Sequence, residues 1–280
     1  MAETGKRRYA AIAALVLSLG LAACGGGGSI EGSLENYSAE EIYQKGEAEL
    51  TRDKPENAAL YFAEIERLYP YSEWAKRGVI MAAFAYHKDG QYDNARGAAQ
   101  RYLDFYPLGD DAAYAQYLLA LSYYDQIDDI GRDQGLTFQA LQALRRVIEV
   151  YPDSPYAAEA VPKFDLAFDH LAGKEMEIGR YYLRGGHYLA AANRFRVVVA
   201  DFQTTQFTAE ALYRLTESYL ALGLVEEAQA AGAILGYNYQ SSDWYRDAHA
   251  LLTGQGLRPD VVGDNWLSQI YRQMLRGEWI

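Results

Sequence analysis

The sequence predicts an all-α fold: a right-handed solenoid of five helical hairpins plus a capping helix. Three observations point there. From Tyr37 to about Leu252 apolar residues recur at helical spacing, with almost no alternating β-branched stretch. Small and aromatic residues recur in one register: Ala83-x-x-Tyr86 before Gly90-x-Tyr92-x-x-Ala95, then Gly179-x-x-Tyr182 before Gly186-x-Tyr188-x-x-Ala191-x-x-x-Phe195, then Tyr219-x-x-x-Gly223-x-Val225-x-x-Ala228. The pairs Tyr69-Pro70, Tyr106-Pro107 and Tyr151-Pro152 punctuate the chain, because a residue before proline is pushed out of the helical region. Together these are the tetratricopeptide pattern.

Residues 1–23 have the form of a lipoprotein signal peptide. Lys6-Arg7-Arg8 precedes an apolar stretch from Tyr9 to Leu21, followed by Leu21-Ala22-Ala23-Cys24. As a helix that stretch rises about 20 Å, short of a hydrocarbon core of roughly 30 Å. Cysteine directly after Leu-Ala-Ala resembles the bacterial lipobox, which makes Cys24 the lipidation site and the new N-terminus. Gly25 stands where aspartate would resemble an inner-membrane retention signal, so the outer membrane is the expected address. Residues 24–37, opening Gly25-Gly26-Gly27-Gly28-Ser29, are expected to be the lipidated cysteine and a flexible tether.

The repeats are expected at 38–70, 72–107, 110–152, 155–203 and 207–240, with a capping helix at Asp243–Leu252. Gly46, Ala83 and Gly179 keep the first helix small where the second approaches. Gly90, Gly186 and Gly223 end the first helix where φ is positive. Ala58, Ala95, Ala191 and Ala228 sit at the crossings, and Phe62 and Phe195 fill the gap one turn later, each sixteen residues after its glycine. In the first repeat Asp53 and Pro55 replace the usual Gly and Tyr. In the third, Asp125–Leu136 is a charged insertion. Tyr156–Arg184 is predicted as one long helix although Pro162 lies in its first turns. Gln203 and Gln240 stand where a closing proline is common. The tail at 253–280 places Trp266, Leu267, Ile270, Tyr271, Met274 and Leu275 on one stripe of a short amphipathic helix. It either folds back over the last repeat or docks on a partner.

Composition narrows the function. The net charge is −12 over 280 residues; removing 1–23 takes one acid and three bases, leaving the mature body at −14. No basic block offers a phosphate-tracking surface, so no nucleic-acid partner is expected. The single cysteine excludes a disulfide framework, and His87, His170, His187 and His249 are too scattered for a ligand set. No phosphate loop, zincin or nucleophile-elbow motif occurs. The carboxylate pairs Glu40-Glu41, Asp110-Asp111 and Asp128-Asp129 are adjacent and diverge by about 100° on a helix, too far to share a proton. An enzyme, a metal and a cofactor are not expected.

The run Glu175-x-x-Ile178-Gly179-x-Tyr181-Tyr182-Leu183-Arg184-x-Gly186-x-Tyr188-x-Ala190-x-Ala192-Asn193-Arg194 resembles the signature of the BamD (ComL) family. So do Tyr69-Pro70-Tyr71-Ser72, Leu121-Ser122-Tyr123-Tyr124-Asp125-Gln126 with Arg132-Asp133-Gln134, and Tyr151-Pro152-Asp153-Ser154. The resemblance spans residues 36–252 and the lipobox. It implies a lipid-anchored subunit on the periplasmic face of the outer membrane, within the β-barrel assembly (BAM) complex. The implied partners are the periplasmic domains of BamA, other BAM lipoproteins and unfolded outer-membrane barrel proteins. The resemblance places Arg194, beside Asn193, at the BamA contact; a solvated arginine, or one paired within its own repeat, is the alternative. First-helix positions line the concave face of tetratricopeptide repeats, here Tyr43, Glu47, Leu50, Ile80, Phe84, His87 and Lys88. Their mixture of apolar and polar groups suits the alternating C-terminal strand of an unfolded barrel, unless Ile80 and Phe84 are inter-helix core. A lipoprotein assembling another envelope structure, such as a pilus secretin or a peptidoglycan-linked complex, is the competing function.

Overall fold

The computed structural model describes residues 34–261 and 266–275; the signal peptide, Cys24 and the glycines after it lie outside them. The described residues hold twelve α-helices and no strand. The chain forms two compact units that divide between Asp89 and Gly90, and within each of them most helices pack mainly on their chain neighbours.

The first unit contains α1 (Ala39–Thr51), α2 (Pro55–Leu68) and α3 (Glu73–Lys88). Ser38 caps α1 in a reciprocal box with Glu41, and Ser72 caps α3. Ile42, Phe62 and Ile65 are fully buried between the three helices. Leu34 is only 2% exposed in the same core, and the Tyr69 hydroxyl donates to the Tyr37 carbonyl at 2.6 Å. Residues 34–37, expected in the tether, are therefore part of the packed body: Leu34 finds an apolar site under α1 that a free tether would leave empty. The α1–α2 turn lacks glycine, yet Asp53 adopts φ +57°, the left-handed conformation that Gly90, Gly186 and Gly223 hold at +72° to +76°. Aspartate tolerates that region better than most residues, and Lys88 donates to its Oδ1 at 2.8 Å. That hydrogen bond also holds the Asp53 carboxyl below its ordinary range.

The second unit runs through α4 (Tyr92–Phe105), α5 (Ala112–Tyr124), α6 (Gly135–Val150), α7 (Pro155–Arg184), α8 (Tyr188–Asp201), α9 (Thr208–Ala221), α10 (Val225–Asn238), α11 (Asp243–Thr253) and α12 (Trp266–Leu275). The long α7 spans 30 residues with Pro155 in its first turn, Ser154 as its cap and Pro162 inside. At the first position proline gives up no hydrogen bond, whereas Pro162, inside the helix, forgoes the bond that an N–H there would make to the carbonyl of Ala158. The insertion is shorter than expected. It occupies 125–134, and Gly135 and Leu136 already belong to α6. The Gln134 amide donates to the carbonyls of Asp129, Ile130 and Arg132, and Lys174 donates to Gly131 O at 2.7 Å. A Cβ on Gly173 would meet Ile130 Cδ1 at 3.1 Å and Phe207 at 3.4 Å, so this glycine lets the insertion and α9 close on α7.

The junctions share one geometry with or without proline. Tyr69, Tyr106 and Tyr151 end their helices at φ −124° to −132°, and Phe202 and Tyr239 do the same at −128° and −131°. At three junctions a hydroxyl three residues on, from Ser72, Thr205 or Ser242, donates to the carbonyl of that residue. The aromatic residue and the hydroxyl suffice where Gln203 and Gln240 replace proline.

Of the two fates open to the tail, the structure shows the first. Helix α12 packs on α10. Leu267 is fully buried, Trp266 Nε1 donates to the Tyr219 hydroxyl at 3.2 Å, and the Arg196 guanidinium lies 4.6 Å from the Trp266 ring centroid.

Candidate partner-binding surfaces

In the first unit, α1 packs on α3 as well as on α2. Tyr43, Glu47 and Leu50 follow one another at four and three residues on α1; Ile80, Phe84 and His87 do so on α3. Tyr43 is half-buried, with its ring 5.2 Å from Phe62 and 5.1 Å from Trp74. Leu50 packs against the same core, and Glu47 is exposed. Ile80 is 5% exposed, whereas Phe84 and His87 are half-buried. Lys88 is exposed and bound to Asp53. These positions thus combine partly buried aromatic and aliphatic groups with the exposed charges of Glu47, Lys88 and Asp53, and Ile80 is buried as an inter-helix core residue would be.

In the second unit, Phe195 is fully buried against α7, and its neighbours on α8 diverge from it. Asn193 is exposed. Arg194 lies on the flank with 43% of its side chain exposed, and its Nη1 donates to Glu175 Oε2 at 3.1 Å and Oε1 at 3.4 Å. Its Nε and Nη2 make no hydrogen bond to the described residues. One edge of the guanidinium fork is therefore engaged within the repeat, and the other is open to a second carboxylate.

Two clusters in the second unit were not legible beforehand, since each joins residues 30 or more positions apart. Arg180 on α7 holds Glu210 on α9 through Nε at 2.9 Å and Nη2 at 2.5 Å, and Arg214 adds a longer contact at 3.5 Å. Burial pushes the Glu210 carboxyl up, but the hydrogen bonds and charges of Arg180 and Arg214 outweigh it and hold it below its ordinary range. Tyr156 on α7 lies between Tyr114 and Tyr117 of α5, with ring centroids 5.0 and 5.4 Å away. The Tyr117 hydroxyl donates to Glu159 at 2.9 Å. Burial first, then the neighbouring Tyr156, pushes the Tyr114 hydroxyl up to about 12. Both clusters fasten neighbouring repeats.

Among the described residues no group of histidine, cysteine and carboxylate side chains is placed to hold a metal ion. No described helix is long and apolar enough to cross a membrane.

A family model described as YfiO, outer membrane lipoprotein, matches residues 35–234. Three curated relatives each carry the name outer membrane protein assembly factor BamD. The protein of Caulobacter vibrioides is 46% identical over 251 residues, spanning 89% of this chain and 82% of its own. That of Rickettsia prowazekii is 41% identical over 211 residues, spanning 75% and 84%. That of Neisseria meningitidis serogroup A is 29% identical over 249 residues, spanning 84% and 93%.

Proposed function

This chain belongs to the YfiO family of outer membrane lipoproteins, to which the BamD assembly factors are its relatives, and from that membership we propose how it works. It is an outer-membrane protein assembly factor of the BAM complex. Its task is non-enzymatic: it scaffolds the complex and presents unfolded barrel proteins for folding and insertion. Lipid on Cys24 anchors it to the periplasmic face of the outer membrane, since so acidic a body is repelled by anionic lipid.

The second unit binds BamA through Arg194 and Asn193. The observation that carries this is the half-engaged guanidinium: Glu175 steadies Arg194 through Nη1, while Nε and Nη2 make no hydrogen bond to the described residues and 43% of the side chain is exposed. Arginine suits such a contact because its planar fork can hold a carboxylate through two parallel hydrogen bonds. The first unit binds the extended C-terminal segment of the substrate along Tyr43, Glu47, Leu50, Phe84, His87 and Lys88, over the buried Ile80, with backbone pairing for affinity and alternating side chains for register. Other BAM lipoproteins occupy the remaining surface.

Affinity purification of the lipidated protein from detergent-solubilised envelopes tests this function. An outer-membrane barrel with periplasmic domains should co-purify. Recovery of a pilus secretin or a murein-linked complex in its place would overturn the assignment. Crosslinkers at Tyr43 or His87 should capture barrel C-terminal peptides; capture confined to the last two repeats would remove the first unit from substrate binding.

A further inference from the structure

A cavity of about 410 Å³ opens where α10, α11 and the segment before α12 meet, within the range of small-ligand pockets. Three of its walls are tyrosines: Tyr237 of α10, Tyr245 of α11 and Tyr271 of α12. The Tyr237 and Tyr271 rings stand edge to face, with centroids 5.9 Å apart and planes at 76°. None of the three hydroxyls bonds to a protein atom among the described residues. Asp260 contributes a carboxylate whose Oδ1 accepts the Val261 N–H at 2.8 Å, leaving Oδ2 open. Among the described residues no lysine, arginine or histidine lines the cavity.

The cradle is held in shape by its surroundings. A Cβ on Gly236 would lie 2.6 Å from Tyr245 Cε2, so Tyr245 rests directly on the α10 backbone. The Gln229 amide donates to the Arg258 carbonyl at 2.8 Å and fixes the chain just before Pro259, which lies over Gly232. Apart from Ala233, the lining residues lie past residue 234, where the family match ends.

Aromatic faces attract cations through the negative face of their quadrupole, and the attraction grows where water is excluded. Three tyrosines and one carboxylate with no compensating cation among the described residues, on a body of charge −14, form a cation receptor. We propose that this cradle receives the guanidinium of an arginine presented by a partner polypeptide. A guanidinium can stack on one tyrosine while offering two parallel N–H groups to Asp260, and Ala233 and Val261 give its methylene stem apolar walls. A lipid ammonium is disfavoured, because the phosphate beside it would be brought against Asp260.

Ligand-observed NMR on the lipidated, detergent-solubilised protein tests this with N-acetyl-argininamide as the probe. Saturable binding is expected, with N-acetyl-citrullinamide, its uncharged isostere, at least tenfold weaker. Tyr237→Ala should weaken binding at least fivefold, whereas Tyr237→Phe, which keeps the aromatic face, should bind within about twofold of the parent. Tyr237 is 56% exposed, so neither change should disturb the fold. Asp260→Asn should weaken binding severalfold. Equal binding of the citrulline probe, no loss in Tyr237→Ala, or the absence of saturable binding would each overturn the proposal. Binding of phosphoethanolamine in preference to the arginine probe would overturn it in favour of a lipid headgroup.

Discussion

The Cβ that Gly179 lacks would stand 2.5 Å from Cε1 of Phe195, a side chain with no exposed surface. In the first repeat Gly46 and Phe62 repeat the relationship at 2.6 Å. In both places the ring of the second helix lies on the bare backbone of the first. Gly179→Ala should therefore overpack α7 against α8 and destabilise the protein by about 1–3 kcal/mol. Urea unfolding of the single variant and of Gly179→Ala with Phe195→Leu checks this, and the smaller residue should restore part of the loss. A single variant as stable as the parent would mean that the two helices are not in tight contact.

The tail helix should stabilise the second unit. Leu267 is fully buried, and the indole of Trp266 is fixed by both Tyr219 and Arg196. Leu267→Ala removes a buried branched side chain, a change that typically costs about 2–5 kcal/mol and less where the site can collapse. Thermal unfolding should show a clear downward shift, and deletion of 260–280 should lower stability and solubility together. A truncated protein as stable as the parent that loses a partner would assign α12 to docking instead.

The Arg180–Glu210 contact makes stability depend on acid. The folded Glu210 carboxyl titrates below its ordinary value of 4.5, so the unfolded chain binds its proton first as pH falls. The contribution is complete above that value and disappears as pH drops through the lowered one. Glu210→Gln should cost about 1–3 kcal/mol at neutral pH, because Arg180 loses a charged partner. The gap between variant and parent should close below about pH 4.5 in a pH series of urea melts. A gap that stays constant to pH 3 would mean that the pair does not titrate with folding.

The helices and their boundaries were legible because each repeat carries its own punctuation. Glycine or aspartate at the turn, an aromatic residue at the junction and alanine at the crossing are local signals with local causes. The sixteen-residue spacing from Gly46 to Phe62 and from Gly179 to Phe195 is a contact written directly in sequence. Leu34 was missed because a single leucine after a glycine run has no periodicity to announce its burial. Glu175 stood in the signature run, but nothing local says that it faces Arg194 nineteen residues on. The tyrosine cradle was invisible for the same reason, since its walls come from three helices and a linker. Asp53 shows the limit of composition: its carboxylate at the turn pairs with Lys88, 35 residues away.

Anchoring through Cys24 has a simple readout. Cys24→Ser should leave uncut precursor in the inner-membrane fraction, weakly held by an apolar stretch too short to span comfortably. Density fractionation of envelopes should find the parent in the outer membrane. Outer-membrane recovery of the serine variant would rule out lipid on Cys24 as the anchor.

Docking through Arg194 is tested most directly by calorimetric titration of the protein with the isolated periplasmic domains of BamA, at one fixed salt concentration. Arg194→Glu turns the open edge of a guanidinium into a second carboxylate beside Glu175. Binding should weaken by about 2–5 kcal/mol if the partner carboxylate is desolvated on docking. Folding should change little, since half-exposed ion pairs contribute about 0–1 kcal/mol. The expected result is a folded Arg194→Glu protein, with the parent's unfolding midpoint to within a few degrees, that no longer binds at micromolar concentration. A folded variant that binds as tightly as the parent would show that BamA docks elsewhere.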